Sequence, residues 1–196
     1  YPIDLTKHQY PARKVMSAKT QDLIGLSSKK FIGVAPFAAH RGKVYPLQLI
    51  KQVIAQLNNT GDYAIFLFGG GALEIAQLDK LASDFKGVTN MAGKLSFSQE
   101  LQLISNLDVM LAMDSGNGHL SALYDIPVVT IWGVTHPFLG FAPFNQPNEN
   151  QLLADRTKYP LVPTSVYGST YPDGYEKAIE TISPSAIVEK VLSVLK

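Results

Sequence analysis

An α/β domain, built on a parallel sheet with helices on both faces, is the fold class that this 196-residue chain predicts. Two observations carry the prediction. Short runs that are apolar throughout, rich in β-branched and aromatic residues, recur from Lys29 onward, which suits strands buried on both faces. Between them lie segments with apolar residues at helical spacing and short connections, the pattern of βαβ units in a three-layer domain.

The strands are read at "KFIGVAPF", "AIFLFGGG", "GVTNMAG", "LDVMLAMD" and "IPVVTIWG". The helix "PLQLIKQVIAQL" puts Leu47, Ile50, Val53, Ile54 and Leu57 on one face, with Pro46 at its first turn. "ALEIAQLDKLASDF" is read with a face of Leu73, Ala76, Leu78, Leu81 and Phe85. "SFSQELQLISN" is read with Ser98 as N-cap, and "GNGHLSALYD" follows the fourth strand. After Gly133 the texture changes. "VTHPFLGFAPFNQPNEN" is rich in Pro and aromatics, "QLLADR" is a sixth, short strand, and "YPLVPTSVYGSTYPDGYEK" is irregular. "SPSAIVEKVLSVLK" closes the chain as an amphipathic helix capped by Ser183 with Pro184 at its start. The expected division is an arm or linker over 1–28, with one short helix, and a domain over 29–196.

Composition narrows the function classes. At 46% hydrophobic and 17% charged residues the chain reads as an ordinary globular protein. No apolar run approaches the roughly 20 residues of a bilayer span, and no signal segment opens the chain. Absence of cysteine excludes disulfides and thiolate metal sites and suits a reducing compartment. A net charge of +1 disfavours wholesale nucleic-acid binding. Residues 1–30 nevertheless carry six Lys/Arg against Asp4 and Asp22, a local +4, and the remainder carries 11 against 14. A basic arm before a mildly acidic domain reads as a solvated linker. The start at Tyr1-Pro2, without Met, fits a piece of a longer protein.

In an open parallel sheet, ligands bind outside the carboxyl ends of the strands. The ends here carry "AAHRGKVYP", "GGGALE", "AGKLS", "DSGNGH" and "GVTHP". In "DSGNGH", a helix starting at Ser115 or Gly116 presents unpaired backbone N–H groups and a partial positive charge, which suit an anion. Gly116 and Gly118 let the backbone approach a phosphate, and His119 lies in the first turn. A plain helix cap with a glycine turn accounts for the loop equally well. Lys43, between a strand end and the helix begun by Pro46, can reach a phosphate as a point charge. Glu74, after Gly69-Gly70-Gly71, can accept from ribose hydroxyls or complement its helix dipole. The triple glycine is not the dinucleotide fingerprint, since the third glycine is misplaced. Ser115 is not a nucleophile elbow either, because Met113 and Asn117 stand where that motif needs glycine. Asp114, His119 and His136 match no zinc spacing, and no metal is expected.

With those residues in view, the chain resembles the C-terminal, donor-binding half of the lipopolysaccharide heptosyltransferases, glycosyltransferase family 9. "APFAAHRGKVYP" is similar to the family's first-strand loop with its Lys-x-aromatic-Pro element. "DSGNGHLSALYDIPVVTIWGVTHP" is similar to its Asp-(Ser/Thr)-Gly-x-x-His signature and the Gly-x-Thr-x-Pro that follows. The resemblance implies one half of a GT-B enzyme, two Rossmann-like domains facing across a cleft. It implies transfer of heptose from an ADP-linked donor to a lipid-linked oligosaccharide, with inversion and without a metal. Lys43 would then neutralise the diphosphate, and Ser115 and Gly116 would supply N–H groups. His119 would face the diphosphate or sugar, and Asp114 the sugar hydroxyls. Glu74 would lie by the ribose and Leu95 by the base, with Asn117 and Thr135 completing the donor set. The general base and the acceptor site would come from an N-terminal half outside this chain, so the chain alone would bind donor without turnover. A cytoplasmic protein, at most peripheral at the inner face of the inner membrane, is implied. A nucleotide-sugar epimerase half and a non-catalytic binding module remain the alternatives.

Overall fold

The computed structural model describes residues 4–25 and 28–195. Its centre is a six-stranded parallel sheet in the order β3-β2-β1-β4-β5-β6. The strands are β1 (Lys30–Ala35), β2 (Tyr63–Leu67), β3 (Val88–Asn90), β4 (Val109–Met113), β5 (Val128–Trp132) and β6 (Gln151–Leu153). The order reverses between β1 and β4, where Val34 pairs with Leu111 and Ala35 with Ala112. Chains leaving these two strands depart in opposite directions, so a crevice opens outside their carboxyl ends.

The helices are α1 (Ala18–Ile24), α2 (Leu47–Asn58), α3 (Gly71–Ser83), α4 (Phe97–Ile104), α5 (Gly116–Ala122) and α6 (Pro184–Val194). Alternate strand residues point to opposite faces and feed two cores. Ile32, Val34, Leu67, Leu111 and Ile131 pack with buried residues of α2, α3 and α6. Phe66, Phe68, Met110, Ala112 and Val128 pack on the other face with Leu103 and Ile104 of α4 and Ala122 of α5. The expected α/β layering is the one the chain forms, and "QLLADR" does supply the sixth strand.

Two details differ from the sequence reading. The cap of α4 is Ser96 rather than Ser98. Ser96 Oγ accepts from Gln99 N–H while Gln99 Oε1 takes the Ser96 N–H in return, a capping box that starts the helix earlier. In α3, Leu78 and Leu81 are buried but Leu73 and Ala76 are exposed. The inner face runs through Ile75, Leu78, Ala82 and Phe85, an equally helical spacing that the apolar pattern alone does not separate from the other.

The segment read as an arm lies against α4. The Lys14 N–H donates to Ser105 Oγ and the Ser17 N–H to Gln102 Oε1. Met16, Leu23 and Ile24 join the second core.

Leu78→Ala should cost about 2–5 kcal/mol, because its side chain is fully enclosed. Leu73→Ala, at a side chain 73% exposed, should stay within about 0.5 kcal/mol. Thermal unfolding of the two variants checks the orientation of α3; equal losses would contradict it.

Candidate functional site

The carboxyl end of β4 delivers Asp114 to the crevice, 7% exposed. The loop after β1 folds into a tight turn at Arg41–Lys43 and brings Lys43 back over it. Lys43 Nζ lies 3.2 Å from Asp114 Oδ2, with both side chains largely buried. Thr135, just beyond β5, donates its hydroxyl to the same oxygen at 2.9 Å. A carboxylate taken this far out of water needs such partners, because its hydration is lost. Lysine and threonine together leave the second carboxylate oxygen outside these contacts.

The next residue, Ser115, is the N-cap position of α5, yet its side chain makes no capping bond. Its Oγ is buried without a hydrogen-bond partner. A helix start leaves its first N–H groups unpaired by geometry, so here a hydroxyl and backbone amides are both uncommitted beside an ammonium. A cavity of about 230 Å³ adjoins them, between the ends of β1, β2 and β4. Ala35, Phe68, Gly70, Glu74, Ser115 and Asn117 are among its walls. Wider clefts exist, including one of about 500 Å³ near Asp125, Pro127 and Lys190. That cleft lies at the amino end of β5, the rim opposite to the one where parallel sheets bind ligands.

Two adjoining groups therefore form. Lys43, Asp114 and Thr135 make the ionic one, while Glu74, Ser115 and Asn117 line the cavity. Glu74 is partly committed already, since its Oε2 accepts the Gly70 N–H at 2.8 Å at the start of its own helix. The Asn117 amide turns to Glu100 Oε1 of α4 at 3.3 Å. Burial holds the Glu100 carboxyl above its ordinary range, and the Asn117 contact works against that rise. Gly116 lies open at the helix start, with nothing within 4 Å of where a side chain would begin. His119 is exposed and lies outside both groups, and Leu95 packs half-buried against the second core. Among the described residues, no group of three or more His, Asp or Glu is arranged to hold a metal ion.

The Lys43 turn is braced from two directions that sequence reading did not find. Val134 N–H, just past β5, donates to Gly42 O at 3.1 Å. A Cβ on Gly133 would sit 2.2 Å from that same carbonyl, so the approach requires glycine. On the other side lies the irregular tail. Thr164 N–H donates to Val134 O, and the turn that follows sets Gly168 against the Lys43 stem. The Tyr45 hydroxyl, fully buried, donates to Ile182 O at 2.6 Å. Burial, with Glu180 adding to it, pushes this phenol up to about 12.

The sequence model of glycosyltransferase family 9 (heptosyltransferase) matches residues 1–169. The chain belongs to glycosyltransferase family 9. It is similar to lipooligosaccharide heptosyltransferase 2 of Campylobacter jejuni, 26% identical over 179 residues that are 89% of this chain and 54% of the relative. It is also similar to lipopolysaccharide heptosyltransferase 3 of Escherichia coli, 27% identical over 58% of this chain and 33% of that protein. The chain thus spans about half the length, or less, of these curated relatives. The fold is that of the E. coli ADP-heptose lipopolysaccharide heptosyltransferase II structure, with a TM-score of 0.70 at 21% identity, covering 95% of this chain and 54% of that one. A family 9 structure from Veillonella parvula agrees, at a TM-score of 0.69, 17% identity and coverage of 90% and 49%. Within this GT-B family, the chain corresponds to one Rossmann-like half.

Two outcomes follow from the brace. Gly168 has φ +72°, and a Cβ there would lie 2.9 Å from Lys43 Cγ and 3.0 Å from Thr135 Cγ2. Gly174 has φ +85° with nothing within 4 Å. Both alanine variants carry backbone strain, but only Gly168→Ala adds overpacking, about 1–3 kcal/mol more. Its melting temperature should be the lower by about 2–4 °C per kcal/mol; equal values would remove the brace. Separately, Tyr45 stabilises fully below the unfolded phenol value of about 10. Its contribution fades as pH rises towards 12. Chemical denaturation between pH 9 and 12 should show stability falling more steeply in the wild type than in Tyr45→Phe.

Proposed function

We propose that this chain is the donor-binding part of a heptosyltransferase-like enzyme. It takes a nucleoside-diphosphate sugar, ADP-linked, for transfer to a lipid-linked oligosaccharide of the lipopolysaccharide type. The observation that carries this reading is the Lys43–Asp114–Thr135 group beside an uncapped helix start with an unpartnered Ser115 hydroxyl. Family membership supports the sugar transfer, and the likeness to the E. coli ADP-heptose lipopolysaccharide heptosyltransferase II supports the donor.

In this reading the diphosphate lies on the N–H groups of Ser115 and Gly116, with Lys43 as its cation and His119 at its flank. Asp114, held by Thr135, meets the sugar hydroxyls. Glu74 faces the ribose, Leu95 the base, and Asn117 lines the pocket. The acceptor oxygen bonds to the anomeric carbon as the carbon–oxygen bond to phosphate breaks, and ADP leaves with the electron pair. A single displacement inverts the anomeric centre. The acceptor proton passes to a general base in an acceptor-binding half that residues 1–28 would join to this domain. Negative charge grows on the departing diphosphate, where fixed donors stabilise the transition state best. Lys43 and the amides supply that positive charge, so the proposed transfer needs no metal. No described helix is long and apolar enough to cross a membrane. The proposed setting is the cytoplasm, with peripheral contact at the inner face of the inner membrane.

Calorimetric titration with ADP, UDP and GDP tests the reading. ADP should bind most tightly, and Lys43→Ala should weaken it at least tenfold while circular dichroism reports a folded chain. No binding of any of the three by the folded wild type would contradict it.

A further inference from the structure

Glu100 is a half-buried acid to which the donor reading gives no role. It stands in the first turn of α4, where burial holds its carboxyl above the ordinary range. Among the described residues it has no ion pair, and the Asn117 amide of α5, at 3.3 Å, is the one hydrogen-bond partner of its carboxylate. A carboxylate drawn out of water without a cation is costly. An acid in a first turn complements the helix dipole from an exposed position just as well, so the inward placement calls for another reason.

Asn117 supplies one. An ionised carboxylate only accepts hydrogen bonds, so it fixes the amide with Nδ2 toward α4. Oδ1, on the other arm of the same planar amide, makes no hydrogen bond among the described residues. Asn117 is also a wall of the cavity of about 230 Å³ beside Ser115. Its donor is spent on Glu100, and its acceptor is left for that space. A free asparagine presents either end; this one is held in one sense.

The surroundings select what such an acceptor takes. Glu74, also on the cavity wall, belongs to α3, whose Leu78 and Leu81 pack in the first core. Asn117 belongs to α5, which packs in the second core through Ala122. The two acceptors thus approach from opposite faces of the sheet and serve different parts of a ligand. On the Asn117 side the flank is apolar. Phe68 lines the cavity, and Leu95 packs half-buried against the same core. One acceptor beside an apolar flank suits a flat ring with a donor on its edge better than a hydroxyl-rich sugar. We infer that the Glu100–Asn117 pair reads the base of the nucleotide: Glu100 is a positioning residue that holds the amide by its nitrogen, and Asn117 Oδ1 accepts from the exocyclic amine of adenine. That the cavity holds a nucleotide rests on the donor reading; the sense of the amide does not.

Inosine diphosphate is the discriminating probe, because a carbonyl replaces the amine and meets the Asn117 carbonyl, acceptor against acceptor. Calorimetric titration compares ADP, IDP and 2′-deoxy-ADP on the 196-residue chain, with folding checked by circular dichroism. The wild type should bind IDP about tenfold more weakly than ADP. Asn117→Ala should bring the two affinities together. Glu100→Leu should do the same although it leaves Asn117 in place, while Glu100→Gln, which keeps an acceptor oxygen at the same reach, should retain the preference. A purely structural contact between α4 and α5 would weaken both nucleotides alike and leave their ratio unmoved. Equal binding of ADP and IDP by the wild type overturns the assignment, and so does a Glu100→Leu variant with the wild-type ratio. A preference for ADP over 2′-deoxy-ADP that Asn117→Ala removes would put ribose at the amide and overturns it too. If the folded wild type binds neither ADP nor IDP, the donor reading falls and the base contact with it; if it binds both equally, only the base contact falls.

Discussion

A lysine ammonium 3.2 Å from a buried carboxylate is the contact on which the rest of the crevice depends. Neither charge is tolerable alone at that depth, since removing one partner leaves the other uncompensated. The sheet order supplies the encounter. β1 and β4 are neighbours, so the loop leaving β1 can fold back over the residue that ends β4. The backbone around the ion pair also holds the loop there. Gly42 is pressed against Val134, Gly133 and the Tyr171 ring, and Gly168 lies against the Lys43 stem. The lysine is therefore delivered by a closely packed turn to Asp114, the residue just before the Ser115 cap position of α5.

Much of this was legible in the sequence, for identifiable reasons. Uniformly apolar runs separated by helical spacing specify a buried parallel sheet, and its carboxyl rim then gathers Lys43, Asp114, Ser115 and Thr135. The motif "DSGNGH" marks a strand-to-helix turn, and α5 does begin there, at Gly116, with open space around that glycine and no side-chain cap from Ser115. Other features carried no sequence signal. Gly168 sits in an irregular tail far along the chain from Lys43, and only the tertiary path brings them into contact. Glu74 could equally serve a ligand or its own helix start, and its Oε2 accepts the Gly70 N–H there. Asn117 is drawn to Glu100, a residue on another helix. In α3 the apolar pattern does not decide that Leu73 and Ala76 face outward while Ile75 and Ala82 face the core, and in α4 two nearby serines, Ser96 and Ser98, compete for the cap.

The tail from Thr164 to Ile182 gains a physical meaning from these contacts. It has little regular structure, but Thr164 bonds the chain just past β5, Gly168 lies against the Lys43 stem, and Ile182 O accepts from Tyr45, two residues after Lys43. Stability and site geometry are thus coupled in one region. A family 9 chain of about half the relatives' length can hold Lys43, Asp114 and Thr135 together with its own residues, while a base for the acceptor hydroxyl lies elsewhere in the proposed reading.

In the proposed reading, amides at the start of α5, assisted by Lys43, form the pyrophosphate cradle. Backbone amide shifts at Ser115, Gly116 and Asn117, followed during titration with inorganic pyrophosphate, test it most directly. These resonances should move furthest and saturably, and should lose that response in Lys43→Met. Unmoved amides here, with shifts concentrated at another part of the surface, would contradict the account.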